Sequence, residues 1–343
     1  MTDRVRVALI GAGRLGRRHA EVLASQIPQA ELAAIADAHE PTARAAAEAT
    51  RLDRWTTDPE ELIADPSIDA VAIASSTDTH APLIIAAAEA GKAIFCEKPI
   101  ALDLEGTDAA LDAVAEAGVY LQIGFQRRYD KGYRAAKERI DAGEIGRVET
   151  IRDAMRDPAP ASREFLATSG GMFRDMTIHN FDAARWLAGS EVEEVYAIGA
   201  ALVDPMFAEL GDVDTSIVTL RFASGALGVI DNGRRSTFGY DVRTEIFGSD
   251  GALFVGQQRD TPLLQLNREG VRHDHVYWFL DLFAEAYAEE LRVFVAAVAD
   301  GTRPGPSGED ARAALALAYA AEASRRDNRP VAVSQFDRAP GSA

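Results

Sequence analysis

Residues Val5–Gly16, which read VRVALIGAGRLG, decide the fold of the amino-terminal part of this chain. Val5–Ile10 is a short, mostly apolar run that predicts a buried strand, and the turn Gly11-Ala12-Gly13-Arg14-Leu15-Gly16 follows at once. Arg17–Ala24 continues as a predicted helix. This is G-x-G-x-x-G in the strand–turn–helix setting that dinucleotide binding requires. Its glycines permit a tight turn and let the backbone approach a pyrophosphate, whose charge meets the amino end of the helix.

An acidic residue follows the second predicted strand. That strand, Glu31–Ala36, ends in Asp37, about 20 residues past the last glycine, as the dinucleotide fingerprint expects. Its carboxylate would accept hydrogen bonds from the adenosine ribose hydroxyls and repel a 2′-phosphate, so the sequence predicts NAD in preference to NADP. The alternative is a glycine-rich turn followed by an ordinary helix-capping aspartate. The predicted cofactor-binding residues of this part are Gly11, Gly13, Arg14, Leu15, Gly16 and Asp37.

The rest of residues 1–123 alternates strand and helix signals, which predicts an α/β domain with a doubly wound parallel sheet of the Rossmann type. Further strands are predicted at Asp69–Ala74, Ala93–Cys96 and Val119–Gly124. In such sheets, ligands bind at the carboxyl ends of the strands. His80 either contacts the cofactor or caps the helix that begins beside it. The loops at this edge add Ser75, Ser76, Thr77, His80, Glu97 and Lys98 to the predicted cofactor site.

After residue 123 the pattern changes, and we predict a second domain over residues 124–343 that binds the substrate and forms oligomers. Its predicted class is α+β with a large, mostly antiparallel open sheet, one face of which is covered most simply by another subunit. Whether the carboxy-terminal segment packs back on the first domain is left open. Helices are predicted near Asp130–Ala142, Trp278–Ala299 and Ser307–Arg325. After a strand at Arg147–Met155, an antiparallel meander is predicted from the alternating segments Val192–Val203, Asp214–Phe222, Ala226–Asn232, Val242–Phe247 and Ala252–Val255.

Bulk composition favours a cytoplasmic enzyme. The chain has 343 residues, of which 47% are hydrophobic, enough to fill two cores. Its net charge of −18 argues against nucleic acid or an anionic membrane as a partner. No apolar run has the length of a membrane span, and residues 1–4 lack a signal-peptide core. The single cysteine, Cys96, excludes a disulfide framework and a cysteine zinc site, and its place in a strand favours packing.

The stretch Gly170–His179, GGMFRDMTIH, combines helical spacing with unusual chemistry. At about 3.6 residues per turn, Asp175 and His179 share one stripe with Asp182 and Trp186. A carboxylate and an imidazole on the inward flank must be paired or line a cavity. The alternative is a capped helix with a satisfied core histidine. The stripe runs beside the apolar set Met172, Met176, Ala183 and Leu187, and the opposite side is predicted to carry Arg174, Thr177, Phe181 and Arg185.

Three motifs in this order carry a family resemblance. They are the glycine turn Gly11–Gly16, the tripeptide Glu97-Lys98-Pro99 and the segment Asp175–His179, DMTIH. The chain resembles the glucose–fructose oxidoreductase/inositol dehydrogenase (Gfo/Idh/MocA) family over nearly its whole length. Within that family it looks most like the inositol 2-dehydrogenases, through Gly124–Asp130 (GFQRRYD), Arg156-Asp157-Pro158 and Phe238-Gly239-Tyr240-Asp241.

The resemblance implies that Lys98, Asp175 and His179 are the catalytic residues and that the Lys98–Pro99 peptide bond is cis. It also implies a homotetramer built through the open face of the second domain's sheet. Three positions depart from relatives in or beside the polyol pocket, namely Met155, Phe238 and Asn180.

The chemistry also follows from the residue types. Oxidation of a secondary alcohol needs a base for the hydroxyl proton and a nicotinamide to take the hydride. His179 can take a proton near neutrality, because a histidine has an ordinary pKa of about 6.5. Asp175 can stabilise the imidazolium or bind the substrate. Lys98 can donate to the reacting oxygen as negative charge develops on it. The alternative for Lys98 is a surface lysine.

The predicted substrate contacts are less specific. Arg127 either orients hydroxyls or pairs between domains, and Tyr240 either binds the polyol or packs in a strand. His273-Asp274-His275 has ligand-like chemistry, but two alternating histidines make no complete metal site, so no metal is predicted. The predicted substrate residues are Arg127, Asp157, Asp175, His179 and Tyr240.

These observations predict an NAD-dependent dehydrogenase that oxidises a ring hydroxyl of a cyclitol, with myo-inositol converted to 2-keto-myo-inositol. The enzyme alternatives are scyllo- or chiro-inositol, an aldose or an anhydrosugar. A different class is an NAD-binding regulator or scaffold. Such a protein needs the glycine turn but not the proton path, so the presence of Lys98, Asp175 and His179 together argues against it.

Overall fold

The computed structural model describes residues 4–256 and 259–338. The first three residues, part of the segment in which no signal peptide is expected, lie outside this range. None of the helices in the described part is both long enough and apolar enough to cross a membrane. The described residues form two compact units, 4–129 with 285–313 and 130–256 with 259–284 and 314–338.

The first unit is built on a parallel sheet of six strands in the order β3-β2-β1-β4-β5-β6, which confirms the predicted Rossmann-type sheet. Its strands lie at Val5–Ile10 (β1), Ala30–Ala36 (β2), Trp55–Thr56 (β3), Ala70–Ile73 (β4), Ala93–Glu97 (β5) and Leu121–Gly124 (β6). Its helices lie at Arg14–Ser25 (α1), Glu40–Thr50 (α2), Pro59–Ile63 (α3), Thr77–Glu89 (α4) and Leu104–Ala117 (α5). Because all strand pairs are parallel, the loops after β1, β2, β4 and β5 share one edge.

The core of the first unit forms because the strands are apolar on both faces. Leu9, Ile35 and Phe95 are fully buried in it. Leu291 and Phe294, from a helix late in the chain, belong to the same hydrophobic cluster. Two distant segments of the chain therefore complete one core.

The remaining elements follow in chain order. The helices are Lys131–Asp141 (α6), Arg163–Thr168 (α7), Ile178–Ala188 (α8), Pro205–Glu209 (α9), Phe279–Leu282 (α10), Ala284–Asp300 (α11) and Gly308–Asp327 (α12), with a π-helical turn at Phe173–Thr177 and 3-10 turns at Gln126–Tyr129 and Val333–Phe336. The strands are Val148–Arg156 (β7), Val192–Ala200 (β8), Thr215–Phe222 (β9), Leu227–Gly233 (β10), Asp241–Gly248 (β11), Ala252–Gly256 (β12), Leu264–Asn267 (β13), Gly270–His273 (β14) and Val331–Ala332 (β15).

The large sheet of the second unit has seven strands in the order β12-β11-β7-β10-β9-β8-β15. It is mostly antiparallel, as predicted, but the predicted simple meander is wrong. β7 lies between β10, with which it pairs in parallel, and β11, with which it pairs antiparallel. The strands β8, β9 and β10 form an antiparallel meander. β7 lies between this meander and β11. Strand pairing across some 80 residues is not encoded in local periodicity.

Two further local predictions need correction. The helix predicted from Trp278 to Ala299 is interrupted at Phe283, the carboxyl-terminal cap of α10, and resumes as α11. The hairpin β13–β14 was not predicted, and all residues of its two short strands are exposed. By contrast, β9 alternates buried and exposed residues along its length. The outward face of the large sheet carries apolar side chains, with Leu227 55% and Phe254 68% exposed.

Candidate active site

The glycine turn after β1 is packed so closely that two of its glycines are sterically required. Gly11 has φ +92°, and a Cβ there would lie 2.4 Å from the backbone nitrogen of Ser75. A Cβ on Gly16 would lie 2.0 Å from the carbonyl oxygen of Gly11. Gly13 differs, since a Cβ there would meet nothing within 4 Å. The absence of a side chain at Gly13 therefore leaves the outer side of the turn open.

Asp37 is held beside this turn by backbone groups. The N–H of Ala12 donates to Asp37 Oδ2 at 2.7 Å, and the N–H of His39 donates to Oδ1 at 2.9 Å. A carboxylate accepts up to about four hydrogen bonds, so capacity for ribose hydroxyls remains. No side chain caps α1 and no acidic residue lies in its first turn, which leaves the positive end of the helix suited to a pyrophosphate. The residues present fit a bound dinucleotide.

The other predicted cofactor residues surround the same edge of the sheet. Ser76 is the amino-terminal cap position of α4 and Thr77 is its first residue. Ser75 Oγ lies 2.6 Å from Thr79 Oγ1. Arg14 is exposed and Leu15 half-buried in the first turn of α1.

His80 connects two of the loops. Its Nδ1 lies 2.8 Å from the carbonyl oxygen of Pro99, and its Nε2 lies 3.1 Å from that of Ser75. The ring is buried, and burial lowers the pKa of His80, although the two carbonyls oppose this effect. The side chain thus ties the loop after β4 to the turn that carries Lys98.

The turn after β5 has the geometry that the resemblance implies, because the Lys98–Pro99 peptide bond is cis. Lys98 itself is half-buried. Glu97, the last residue of β5, is 7% exposed. Its Oε1 forms a hydrogen bond of 2.8 Å with Nε2 of His19. Its carboxylate therefore points into the interior of the first unit.

The Asp175–His179 segment is not a regular α-helix, and this part of the prediction is wrong. A π-helical turn spans Phe173–Thr177, and α8 begins at Ile178. Thr177 and Phe181, predicted on the outward side, are fully buried. Met172, Met176, Ala183 and Leu187 are buried as predicted. The segment is enclosed on more than one side, so an apolar stripe does not define its inward face.

The π turn is stabilised by buried polar contacts. Thr177 Oγ1 donates to Asn232 Oδ1 at 2.7 Å, and Asn232 Nδ2 donates to Asn180 Oδ1 at 3.1 Å. Asn180 and Asn232 are both fully buried. Asn180 thus links α8 to β10. Wide helical turns of this kind are rare and occur frequently at functional sites.

Arg234 is the main residue that sequence reasoning missed. Its guanidinium donates to Asp175 Oδ2 at 2.9 Å and to Asp157 Oδ2 at 3.2 Å. The Arg234 side chain is only 4% exposed. Burial alone would lower the pKa of Arg234, but the Asp175 and Asp157 carboxylates outweigh it and the pKa is raised. A permanently charged guanidinium therefore joins two of the predicted substrate residues. An arginine two residues after the predicted strand Ala226–Asn232 was the available signal.

The other site residues are distributed between the two units. Lys98 and Arg127 belong to the first unit, where Arg127 is 2% exposed within its 3-10 turn. His179 and Tyr240 belong to the second and are each 8% exposed. The Tyr240 ring packs near Phe279 and Phe283. A cavity of about 440 Å³ is lined by Phe238, Tyr240, Asp241, Val242, Arg243, His273, His275, Val276 and Leu282.

That cavity does not include Asp157, Asp175 or His179. Within the second unit the structure brings Asp157 and Asp175 together through Arg234, and Tyr240 lines the cavity of about 440 Å³. Among the described residues, His273 and His275 belong to no group of three possible metal ligands, although their rings lie 4.7 Å apart.

Comparison with known proteins identifies the family of this chain. Residues 5–125 match the family model described as oxidoreductase family, NAD-binding Rossmann fold, and residues 133–254 match the GFO/IDH/MocA C-terminal domain. The myo-inositol 2-dehydrogenase of Thermotoga maritima is 45% identical over 96% of this chain and 99% of that protein. The scyllo-inositol 2-dehydrogenase (NAD(+)) of Bacillus subtilis is 40% identical over 96% of this chain and 97% of that protein.

A solved structure is similar over the same length. The scyllo-inositol dehydrogenase from Lactobacillus casei, with bound NAD(H) and scyllo-inositol, superposes with a TM-score of 0.92 at 32% identity, covering 97% of this chain and 100% of that one. The two family models match consecutive parts of the chain, the Rossmann model first and the carboxy-terminal model second. The relatives match the chain over nearly its whole length. The chain therefore belongs to the GFO/IDH/MocA family of oxidoreductases, with an NAD-binding Rossmann domain followed by the family's carboxy-terminal domain.

Proposed function

We propose that this enzyme transfers a hydride from a ring secondary alcohol of a cyclitol to NAD, and that its substrate is myo-inositol, oxidised to 2-keto-myo-inositol. The observation that carries the proposal is the ion pair between Asp175 and the buried Arg234. Asp175 lies four residues before His179 in the chain. Relatives named for myo- and scyllo-inositol support the substrate class.

His179 is the proposed base. In its neutral form the imidazole accepts the hydroxyl proton, a role that contributes roughly 10²–10⁴-fold in enzymes that use it. Asp175 is the proposed partner whose negative charge stabilises the imidazolium. Arg234 keeps that carboxylate in one place, because it binds Asp157 with its other nitrogen. A bidentate arginine restricts the geometry more than a single-point contact does.

Lys98 is the proposed donor to the reacting oxygen. His80 contacts the backbone oxygen of Pro99, the residue directly after Lys98. A positioned cation lowers the barrier as the hydroxyl loses its proton, because it binds the developing alkoxide more strongly than the alcohol. Bound NAD supplies the acceptor for the hydride at its nicotinamide.

The remaining proposed contacts bind ring hydroxyls. Asp157 and Asp175 are both half-buried and can accept hydrogen bonds beyond the one that each receives from Arg234. Arg127 and Tyr240 complete the proposed set. A polyol needs several such partners, since each unpaired buried group costs affinity and thereby selects the isomer.

A substrate panel tests the proposal. The protein is assayed by absorbance of the reduced cofactor with myo-, scyllo- and chiro-inositol, an aldose and an anhydrosugar. We expect the highest kcat/KM with myo-inositol. Lys98→Met should reduce turnover about 10²-fold or more, the scale of one positioned transition-state donor, whereas Lys137→Met, at an exposed ion pair with Asp141, should not.

Preference for scyllo-inositol would correct the isomer but not the reaction. If NAD binds and none of these compounds is oxidised, the protein is a dinucleotide-binding regulator instead.

We further propose that the enzyme is a cytoplasmic homotetramer. The exposed face of the large sheet supports this, because Ile198, Leu227 and Phe254 are large apolar side chains exposed on it. Phe254→Glu should lower the mass measured by analytical ultracentrifugation, while Phe165→Glu, at an exposed position in α7, should leave it unchanged.

A further inference from the structure

Three ionisable side chains meet in the interior of the first unit. They are His19 from α1, Glu97 from the end of β5 and Glu290 from α11, and one nitrogen or oxygen atom of each lies within 4.8 Å of the others. His19 and Glu290 are fully buried, and Glu97 is 7% exposed. His19 Nε2 and Glu97 Oε1 are 2.8 Å apart. We call this group the buried triad.

Glu290 is the member with the least compensation for its burial. Within the described part of the chain, neither of its carboxyl oxygens has a hydrogen-bond partner. An ionised carboxylate there would lose its hydration without replacement and would also face the charge of Glu97. Burial and the Glu97 carboxylate both raise the pKa of Glu290 well above its usual value. A protonated Glu290 avoids both costs.

The contacts of His19 agree with a single negative charge in the triad. Its Nδ1 has no hydrogen-bond partner among the described residues. A ring protonated only on Nε2 donates to Glu97 and leaves a lone pair at Nδ1, whereas a doubly protonated ring would bury an unpaired N–H. Neutral His19, ionised Glu97 and protonated Glu290 therefore satisfy the geometry best.

A metal ion accounts for the triad less well. Structural zinc sites take four ligands, and the described residues supply three here. Tetrahedral ligands at zinc distances of about 2.0–2.2 Å are separated by roughly 3.3 Å. The 2.8 Å between His19 Nε2 and Glu97 Oε1 is instead a hydrogen-bond distance.

The triad joins the parts of the first unit that carry the dinucleotide turn and Lys98. His19 is on the helix that begins at this turn, and Glu97 directly precedes Lys98. Gln122 of β6 donates to the backbone oxygen of Glu290 at 2.8 Å, which fixes α11 against the sheet. A Cβ on Gly124 would lie 2.9 Å from the Glu97 carboxyl group, so this glycine makes room for the side chain.

We propose that Glu290 holds a proton in the native enzyme, and that His19, Glu97 and Glu290 are positioning residues that fix α1 against the strand end bearing Lys98. The groups that face Glu290 are His19 from α1 and Glu97 from β5, with the neutral Gln122 from β6. Tyr287, on the same helix as Glu290, touches the edge of the His19 ring. Because α1 begins at the glycine turn, we expect the triad to affect NAD affinity. That expectation does not depend on which substrate the enzyme oxidises.

Glu290→Gln tests the proton directly, because an amide resembles the protonated acid in shape and charge. The folded protein holds a proton that the unfolded chain releases above its ordinary pKa of 4.5, so rising pH should favour unfolding of the wild type. In urea unfolding from about pH 5 to pH 9, the folding constant of the wild type should fall relative to Glu290→Gln by up to about tenfold per pH unit. Glu289→Gln, next to it on α11 and paired with Arg292, is the control that should parallel the wild type.

Two further measurements distinguish positioning from mere packing. Infrared spectra of the wild type should contain a protonated-carboxyl band that shifts in heavy water and is lost in Glu290→Gln. Absence of this band from the wild type contradicts the proposal even if the variant fails to fold. NAD affinity should decline several-fold at alkaline pH in the wild type and in Glu289→Gln, but not in Glu290→Gln.

The proposal is overturned if the Glu290→Gln stability curve parallels the wild type, or if the wild type lacks the infrared band. A stoichiometric metal that chelation removes together with stability would also overturn it. Failure to oxidise any inositol, with the pH-dependent stability difference intact, would refute the proposed function and leave the triad standing.

Discussion

The dinucleotide turn of the first unit and the Asp175 segment of the second each fix an aspartate, but with different parts of the chain. Asp37 accepts from the backbone N–H groups of Ala12 and His39, both local to the fold of one sheet edge. Asp175 accepts from the side chain of Arg234, which is 59 residues away in sequence. Backbone N–H groups remain when most side chains are substituted. A single substitution at Arg234, in contrast, removes the guanidinium that Asp175 binds.

This difference locates the vulnerable positions of each region. At the dinucleotide turn they are the glycines, since a Cβ on Gly11 or Gly16 would overlap backbone atoms. In the Asp175 segment they are polar side chains, linked through Arg234 on one side and Asn232 on the other. Substitutions should therefore separate the two regions by the size and kind of their effects.

The largest effect is expected at His179. His179→Ala should lower kcat roughly 10²–10⁴-fold, the contribution of a general base, with NAD affinity little changed. The rate should rise with pH through a single ionisation in the wild type, because only the neutral imidazole accepts the proton, and this limb should be lost in the variant. Retention of both the limb and most of the rate would show that the proton leaves by another route.

The two regions also differ in how far sequence alone describes them. The glycine turn, Asp37 and five of the six strands of the parallel sheet were predicted from local patterns, with strand bounds that differ from the prediction by at most two residues. The two-residue strand β3 was not predicted. The π turn at Phe173–Thr177 was not predicted, since a regular 3.6-residue period was assumed there. The insertion of β7 and the pairing of Arg234 with Asp157 and Asp175 depend on contacts between distant segments, which periodicity does not record.

The next largest effect is expected at Arg234, where two substitutions separate charge from geometry. Arg234→Gln leaves the Asp175 charge uncompensated, which stabilises the His179 imidazolium, so the pH limb of kcat should move to higher pH. Arg234→Lys keeps a cation but loses the two-pronged contact with Asp157 and Asp175, so the rate should fall about tenfold with the limb nearly in place. Equal pH profiles for both variants would exclude electrostatic coupling to His179.

Arg139→Gln is the matched control, because Arg139 of α6 forms an exposed ion pair with Glu144, away from the large sheet. Such pairs contribute about 0–1 kcal/mol to stability, so neither rate nor pH profile should change.

A smaller effect is expected at Asp37. Asp37→Ser removes the charge that would face a 2′-phosphate and keeps a short polar side chain. The ratio of kcat/KM for NAD to that for NADP should fall about tenfold or more, since removing a repulsive element changes specificity more than it changes the fold. The thermal midpoint should drop only slightly, because the two backbone donors that Asp37 satisfies are left to water. A wild type that uses NADP as well as NAD would show that Asp37 does not face the ribose.

The smallest change in stability is expected at Gly13. This position tests whether the glycine turn Gly11–Gly16 binds the pyrophosphate. Gly13→Ala adds a Cβ that meets nothing within 4 Å, at a residue whose φ of −63° suits any amino acid. The thermal midpoint should therefore stay the same or rise slightly. NAD affinity should still fall several-fold, because the added methyl group projects on the open side where the pyrophosphate approaches the backbone. Gly16→Ala is the contrasting variant, since its Cβ would lie 2.0 Å from the Gly11 oxygen and should destabilise the fold itself. Isothermal titration with NAD and thermal melts of both variants measure the two effects separately. Unchanged NAD affinity in Gly13→Ala would mean that the cofactor does not approach this turn. The assignment of the glycine turn as the pyrophosphate site would then be wrong.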